Sequence, residues 1–299
     1  MSPEPSFLRG VYNITPTPFH ADGTLDEASL ATLVEFNLAR RVNGLTVLGV
    51  MGEAHKLSDL ERDRVIAATV DESAGRLPIC VGATHGGTDG CIGYSRRAAV
   101  LGANALMIAP PKLSRSSDAA LRRHYLTVAD AVDLPIVVQD YPPASGVFMT
   151  VEFVAALAAE CPRCRWLKAE DDPTPPKIGA VLAANPDVQV FGGLGGVMLL
   201  EELRRGAVGT MTGFGFPEIL VEICDAYFAG DHDRAATVFY KYCPLMRFEN
   251  QAGINVPLRK EIYHRRGAMA SPCVRSPSPA LDAGTLADLE DLLTRLDLR

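Results

Sequence analysis

Long apolar runs are missing from this 299-residue chain. Its hydrophobic stretches fall well short of the roughly 20 residues that a membrane helix needs. A bilayer-spanning protein is therefore not expected. A basic tract is missing too. Acidic residues outnumber basic ones, 36 to 29, for a formal net charge of -7. That balance lacks the electrostatic footprint of a nucleic-acid binder. The opening residues, MSPEPSFLRG, lack the basic-then-apolar pattern of an export signal, so a cytoplasmic protein is expected. The six histidines are scattered, and none stands in HxxxH or HxH spacing, so no metal centre is expected. No glycine fingerprint followed by an acidic residue marks a dinucleotide site, and no cofactor is expected. The seven cysteines are an odd, dispersed set, which fits reduced thiols. Cys161-Pro-Arg-Cys164 has CxxC spacing, but it precedes an apolar run rather than opening a helix after one, which is the wrong setting for a redox motif.

What the chain does have is alternation. Short β-branched or apolar runs occur at Gly10–Thr15, Leu45–Gly49, Ile79–Gly82, Ala105–Ala109, Ile136–Gln139, Trp166–Lys168, Val188–Phe191 and Gly209–Thr212. Amphipathic stretches separate them: Asp26–Ala39, Ser58–Ser73, Thr88–Leu101, Ser117–Val132, Thr150–Glu160, Pro175–Ala184 and Val197–Arg205. Ser58-Asp-Leu-Glu61 is a capping-box pattern. Eight strands, all but the last followed by a helix, predict an α/β fold, a closed (β/α)8 TIM barrel. After Pro217 helices follow without strands: Glu218–Ala229, Asp233–Tyr242, Ile254–Arg265 and Thr285–Leu296. The expected division is a barrel over residues 1–225 and a C-terminal helical extension over 226–299.

A barrel of this kind carries its chemistry at the C-terminal ends of its strands. Lys168 ends the sixth. A lysine there is costly, because burial disfavours its charged form, and a neutral amine is a nucleophile able to form a Schiff base with a carbonyl. Glu170 falls on the same face by strand alternation, as do Gln139 and Tyr141 on the fifth strand. Glu170 can pair with the lysine or act as an acid.

The order Thr17-Pro-Phe19, Gly49-x-x-Gly-Glu53, Pro142-x-x-x-Gly146 and Leu167-Lys168 resembles the dihydrodipicolinate synthase / N-acetylneuraminate lyase superfamily. The resemblance covers nearly the whole chain. It implies a class I aldolase-type lyase in which the strand-six lysine condenses with a 2-oxo acid such as pyruvate. Such an enzyme needs no cofactor beyond its covalent Schiff base. A strand-five tyrosine would relay protons, and the Gly-x-x-Gly-Glu loop would hold the carboxylate. The assembly implied is a homodimer or homotetramer.

The chain departs from the family pattern around the lysine. Val50 and Met51 stand where the loop usually carries hydroxyl residues. Gln139 takes the place of the usual tyrosine, leaving Tyr141 as the candidate relay. Ala144 matches an arginine that contacts the aldehyde substrate in the lysine-biosynthesis enzymes, and Pro111 and Lys112 match a tyrosine pair. These losses argue against the lysine-biosynthesis reaction and leave Schiff-base formation untouched. Expected substrate contacts are Gly49, Val50, Met51, Gly52, Glu53, His55, Thr17, Gln139, Glu170 and Lys112. Gly192 and Gly193 after the seventh strand and Met211 on the eighth complete the set. Glu53 is expected to brace its loop by accepting backbone N–H bonds. Two other readings stand beside the lyase. The glycines at 192–196 and 213–215 have the look of a phosphate-ester site in a barrel. Alternatively, the altered loop marks a catalytically silent barrel that binds a small ligand.

Overall fold

A computed structural model describes residues 8–112 and 117–298. Eight parallel strands form a closed barrel in sequence order: β1 (Gly10–Ile14), β2 (Gly44–Val47), β3 (Ile79–Gly82), β4 (Ala105–Ile108), β5 (Ile136–Asp140), β6 (Trp166–Ala169), β7 (Gln189–Gly192) and β8 (Gly209–Thr212). β8 pairs back onto β1, with Gly10 opposite Gly209. The strands are buried almost throughout, which explains their continuous apolar sequence. Inward-facing Tyr12, Cys80, Ala105, Val137, Trp166, Phe191 and Met211 fill the barrel as one cluster. The Tyr12 and Phe191 rings meet edge to face at 5.7 Å.

The helices of the barrel are α1 (Glu27–Ala39), α2 (Asp59–Ser73), α3 (Thr88–Val100), α4 (Asp118–Ala131), α5 (Pro142–Ser145), α6 (Val151–Glu160), α7 (Thr174–Ala184) and α8 (Leu199–Arg204). Their starts follow from local chemistry. The Asp26 carboxylate accepts the Ser29 N–H at the head of α1, and Ser58 with Glu61 forms the expected capping box on α2. The short α5 was not expected. Pro142 and Pro143 open it at the position where a missing N–H costs nothing.

Four more helices follow: α9 (Pro217–Phe228), α10 (His232–Glu249), α11 (Asn255–Arg265) and α12 (Ala283–Arg295). The sequence pattern predicts that the second of them ends at Tyr242, yet α10 continues through Pro244 to Glu249. Leu245, Met246, Phe248 and Glu249 are all buried beyond the proline. Their packing outweighs the hydrogen bond that Pro244 cannot make. α11 folds back onto the catalytic end of the barrel. Tyr263 on it donates to the Phe214 carbonyl at 2.9 Å and accepts from Asn13 of β1 at 2.8 Å. Among the described residues no helix is long and apolar enough to cross a membrane.

Candidate active site

Lys168 lies beside Gln139 of β5 and Phe191 of β7 in the barrel register. Trp166, two residues earlier, points into the barrel, and alternation turns Lys168 the same way. The lysine side chain is 3% exposed, and its Nζ sits 2.8 Å from Glu170 Oε2. The same carboxylate oxygen accepts Gln139 Nε2 at 2.8 Å. Tyr141 is half-buried just past the end of β5, at the head of α5. Burial, and then the Glu170 charge, push its phenol above the usual range. The phenol therefore keeps its proton. Lys168, Glu170, Gln139, Tyr141, Val50 and Met51 share one inner pocket of about 40 Å³. Val50, Gln139 and Tyr141 also line a wider cleft of about 450 Å³, with Gly49, His55 and Lys112. Ala144 lines this wider cleft as well.

The β2 loop is wound tightly. Leu48 and Glu53 have φ of 58° and 51°, the left-handed region. A Cβ on Gly82 of β3 would meet the Leu48 carbonyl oxygen at 2.1 Å, so only glycine admits the loop there. Glu53 is buried beneath the loop. Lys260 of α11 reaches it at 2.5 Å, Lys56 at 2.9 Å and the Arg275 N–H at 3.1 Å. Two ammonium groups hold it beside a backbone N–H, the kind of donor that was expected. Burial draws Lys260 down to about 8 against the pull of Glu53. Gly52 accepts at its carbonyl from the buried Thr17 hydroxyl at 2.6 Å. Thr17, Gly52 and Glu53 thus shape the loop without lining either cavity. Among the described residues, the N–H groups of Val50 and Met51 make no hydrogen bond. Val50 is 45% exposed.

Met211 is fully buried inside the barrel and also lines neither cavity. Gly192 and Gly193 act through what they admit. A Cβ on Gly192 would strike the Glu202 carboxylate, and one on Gly193 would meet Glu170 Cγ at 2.4 Å. The glycines at the end of β7 are there for close packing of two carboxyl groups. The loop N–H groups are already engaged: Leu194 with Glu170 at 3.5 Å, Gly195 with the Thr212 hydroxyl at 2.8 Å and Gly196 with the Gly193 carbonyl at 2.9 Å. A phosphate there would meet a carboxylate and spent donors, so the phosphate-ester reading loses its footing. Burial pushes Glu202 up to about 8.

Several residues that line the inner pocket were not among the expected substrate contacts, four polar side chains among them. Arg259 and Asn255 come from α11, Asn250 follows α10, and Thr212 ends β8. Arg259 does carry a sequence signal. It stands three and four residues before Ile262 and Tyr263, on the buried stripe of its helix. A second ionic clamp lies close by, where Lys177 of α7 bridges Asp140 at 2.6 Å and Asp171 at 2.7 Å. Asp171 is thus a turn residue that ties β6 to α7. Among the described residues no group of three or more His, Cys, Asp or Glu side chains is placed to hold a metal ion.

Comparison with known proteins places the chain in a family. Residues 7–296 match the family model for the dihydrodipicolinate synthetase family. An L-2-keto-3-deoxyarabonate dehydratase of Azospirillum brasilense is 34% identical over 295 residues, covering 97% of this chain and 94% of the relative. Among solved structures, a dihydrodipicolinate synthase from Rhodopseudomonas palustris superimposes with a TM-score of 0.91 at 32% identity, covering 97% of this chain and 98% of that one. A prophage protein of the dihydrodipicolinic acid synthase family from E. coli K12, solved in complex with pyruvate, has a TM-score of 0.91 at 26% identity, covering 98% and 99%.

Proposed function

The chain belongs to the dihydrodipicolinate synthetase family and is a lyase, and we propose that it removes water from a 2-oxo-3-deoxy acid through a Schiff base on Lys168. The observation that carries this reading is the buried Lys168–Glu170 pair at 2.8 Å, with the Tyr141 phenol in the same pocket. Glu170 takes a proton from the lysine ammonium, and the freed amine attacks the substrate C2 carbonyl. The carbinolamine loses water as Glu170 passes that proton through the Tyr141 phenol to the departing oxygen, which leaves Glu170 ionised and Tyr141 protonated again. The resulting iminium draws electrons from C3, and Glu170 accepts the C3 proton to leave an enamine. The enamine expels the C4 hydroxyl, protonated as it leaves, and hydrolysis returns the lysine.

An enamine can also add to an aldehyde. A carboxylate against the lysine favours expulsion, because it can take the C3 proton and return it to the leaving oxygen. The dehydratase relative acts in the same direction. Ala144, in place of a cation for a second acidic substrate, argues against the lysine-biosynthesis condensation. The wider cleft, with His55, Thr84 and Lys112, has polar groups for the hydroxylated end of a sugar-derived acid. We read the assembly as a homodimer or homotetramer and the compartment as the cytoplasm, in keeping with seven unpaired cysteines.

The test is borohydride reduction in the presence of pyruvate or a 2-keto-3-deoxy aldonic acid, followed by intact mass. A stable adduct that disappears in Lys168→Ala is expected, together with water loss rather than pyruvate release from L-2-keto-3-deoxyarabonate. An adduct that survives in Lys168→Ala, or pyruvate release as the main product, would refute the assignment.

A further inference from the structure

Met51 and Val50 leave the carboxylate loop without hydroxyl donors, yet the pocket beside them holds a guanidinium. Arg259 of α11 is 3% exposed and lines the inner pocket with Lys168 and Met51. Its partners are poor for a buried cation. Nη1 meets the Met51 sulfur at 3.1 Å, a weak acceptor, and Nη2 meets Asn250 Oδ1 at 3.2 Å. Nε has no hydrogen-bond partner, and the nearest carboxylate oxygen, on Glu249, stands 3.7 Å away. A guanidinium presents five N–H donors and is costly to bury unless they are used. A planar fork of that kind matches a carboxylate.

From this geometry we infer that Arg259 is the charged anchor for the C1 carboxylate of the 2-oxo acid. The free N–H groups of Val50 and Met51 hold the same carboxylate from the loop side. Met51 is the hinge of the arrangement. Its sulfur occupies Nη1 loosely, and a carboxylate oxygen displaces it for a charge-assisted hydrogen bond. The anchor acts on binding, one bond away from the carbon that Lys168 attacks. It fixes C2 toward the amine and leaves the hydroxylated end of the substrate in the wider cleft. The inference rests on the Schiff-base reading only for the identity of the neighbouring carbon.

The experiment compares pyruvate with methyl pyruvate, its uncharged ester, by calorimetric binding and by borohydride trapping. Arg259→Met should weaken pyruvate binding at least tenfold and change methyl pyruvate by less than twofold, while Arg259→Lys recovers part of the loss. An equal loss for acid and ester would show a merely structural role and overturn the inference, as would unchanged pyruvate binding. If Arg259→Met fails to fold because Glu249 is stranded, the Glu249→Gln/Arg259→Met double variant carries the same comparison. Pyruvate binding that depends on Arg259 without any trapped adduct would sink the Schiff base and uphold the anchor.

Discussion

Glu202 is a carboxyl whose burial sets a measurable pH dependence. It is fully buried, its Oε1 accepts the Thr174 hydroxyl at 2.6 Å, and its Oε2 has no partner among the described residues. Burial, ahead of the opposing Thr174 bond, raises it from 4.5 to about 8. Below pH 4.5 both folded and unfolded chains carry the proton, and stability does not depend on this group. Between 4.5 and about 8 the unfolded chain has released the proton while the folded chain retains it. Stability therefore falls as pH rises through that window, by up to about 1.4 kcal/mol per pH unit. The accumulated cost at pH 7 is about 3 kcal/mol. Glu202→Gln keeps the acceptor for Thr174, reproduces the neutral form and removes the titration. The melting temperatures of variant and wild type, followed from pH 4.5 to 8.5, should diverge steadily. The variant should gain on the order of 5 °C relative to wild type by neutral pH. Subtracting the two curves cancels Glu249, which burial pushes to about 7 and which titrates in the same range. A difference that stays flat with pH would refute the neutral carboxyl.

Tyr141→Phe should slow formation of the borohydride adduct and lower kcat by roughly 10²- to 10⁴-fold; unchanged trapping rate and turnover would remove the phenol from the mechanism. Glu170→Gln should slow both trapping and turnover, and a variant that traps at the wild-type rate would show that the pair at 2.8 Å is structural only. Lys177→Met strands the buried Asp140, whose carboxyl burial already pushes up, and should cost about 3 kcal/mol in denaturant unfolding. Lys260→Met leaves Glu53 with Lys56 and the Arg275 N–H and should cost a similar amount, about 3 kcal/mol, with a raised KM as the loop loosens.

The barrel was readable because each strand is short, apolar and followed by a helix, so local propensity and global fold agree. Lys168, Glu170 and Gln139 were readable for the same reason: period-two alternation fixes a side chain's face once the strand is placed. Thr17 and Met211 were misjudged because sequence order shows which strand end a residue occupies and not how deep its side chain is set. Met211 sits one layer below the pocket with Trp166 and Phe191. Thr17 turns under the β2 loop toward the Gly52 carbonyl. Arg259 was hidden by distance along the chain, since nothing local says that α11 returns to the barrel mouth. The clue was a charged residue on an otherwise apolar stripe, and such a residue needs a partner wherever the helix docks.

Charge bookkeeping across the pocket ties these residues together. Lys168 and Glu170 pair with each other at 2.8 Å, and Arg259 lines the same pocket with its nearest carboxylate 3.7 Å away. Burial pushes Glu202 up to about 8 and Glu249, which stands 3.7 Å from Arg259, up to about 7. Arg259 is therefore only partly compensated, in surroundings where an uncompensated charge is costly. A monoanionic 2-oxo acid offsets that charge, and a neutral ketone does not. The apolar loop then makes sense. Val50 and Met51 need not supply hydroxyls when a guanidinium supplies the field. Their cost is a weaker grip on direction, because a sulfur contact at 3.1 Å leaves Nη1 free to turn toward the ligand. In the proposed arrangement Arg259, on a helix folded back from the C-terminus, joins the N–H groups of the β2 loop at the anion site, beside the proposed lysine chemistry at the end of β6.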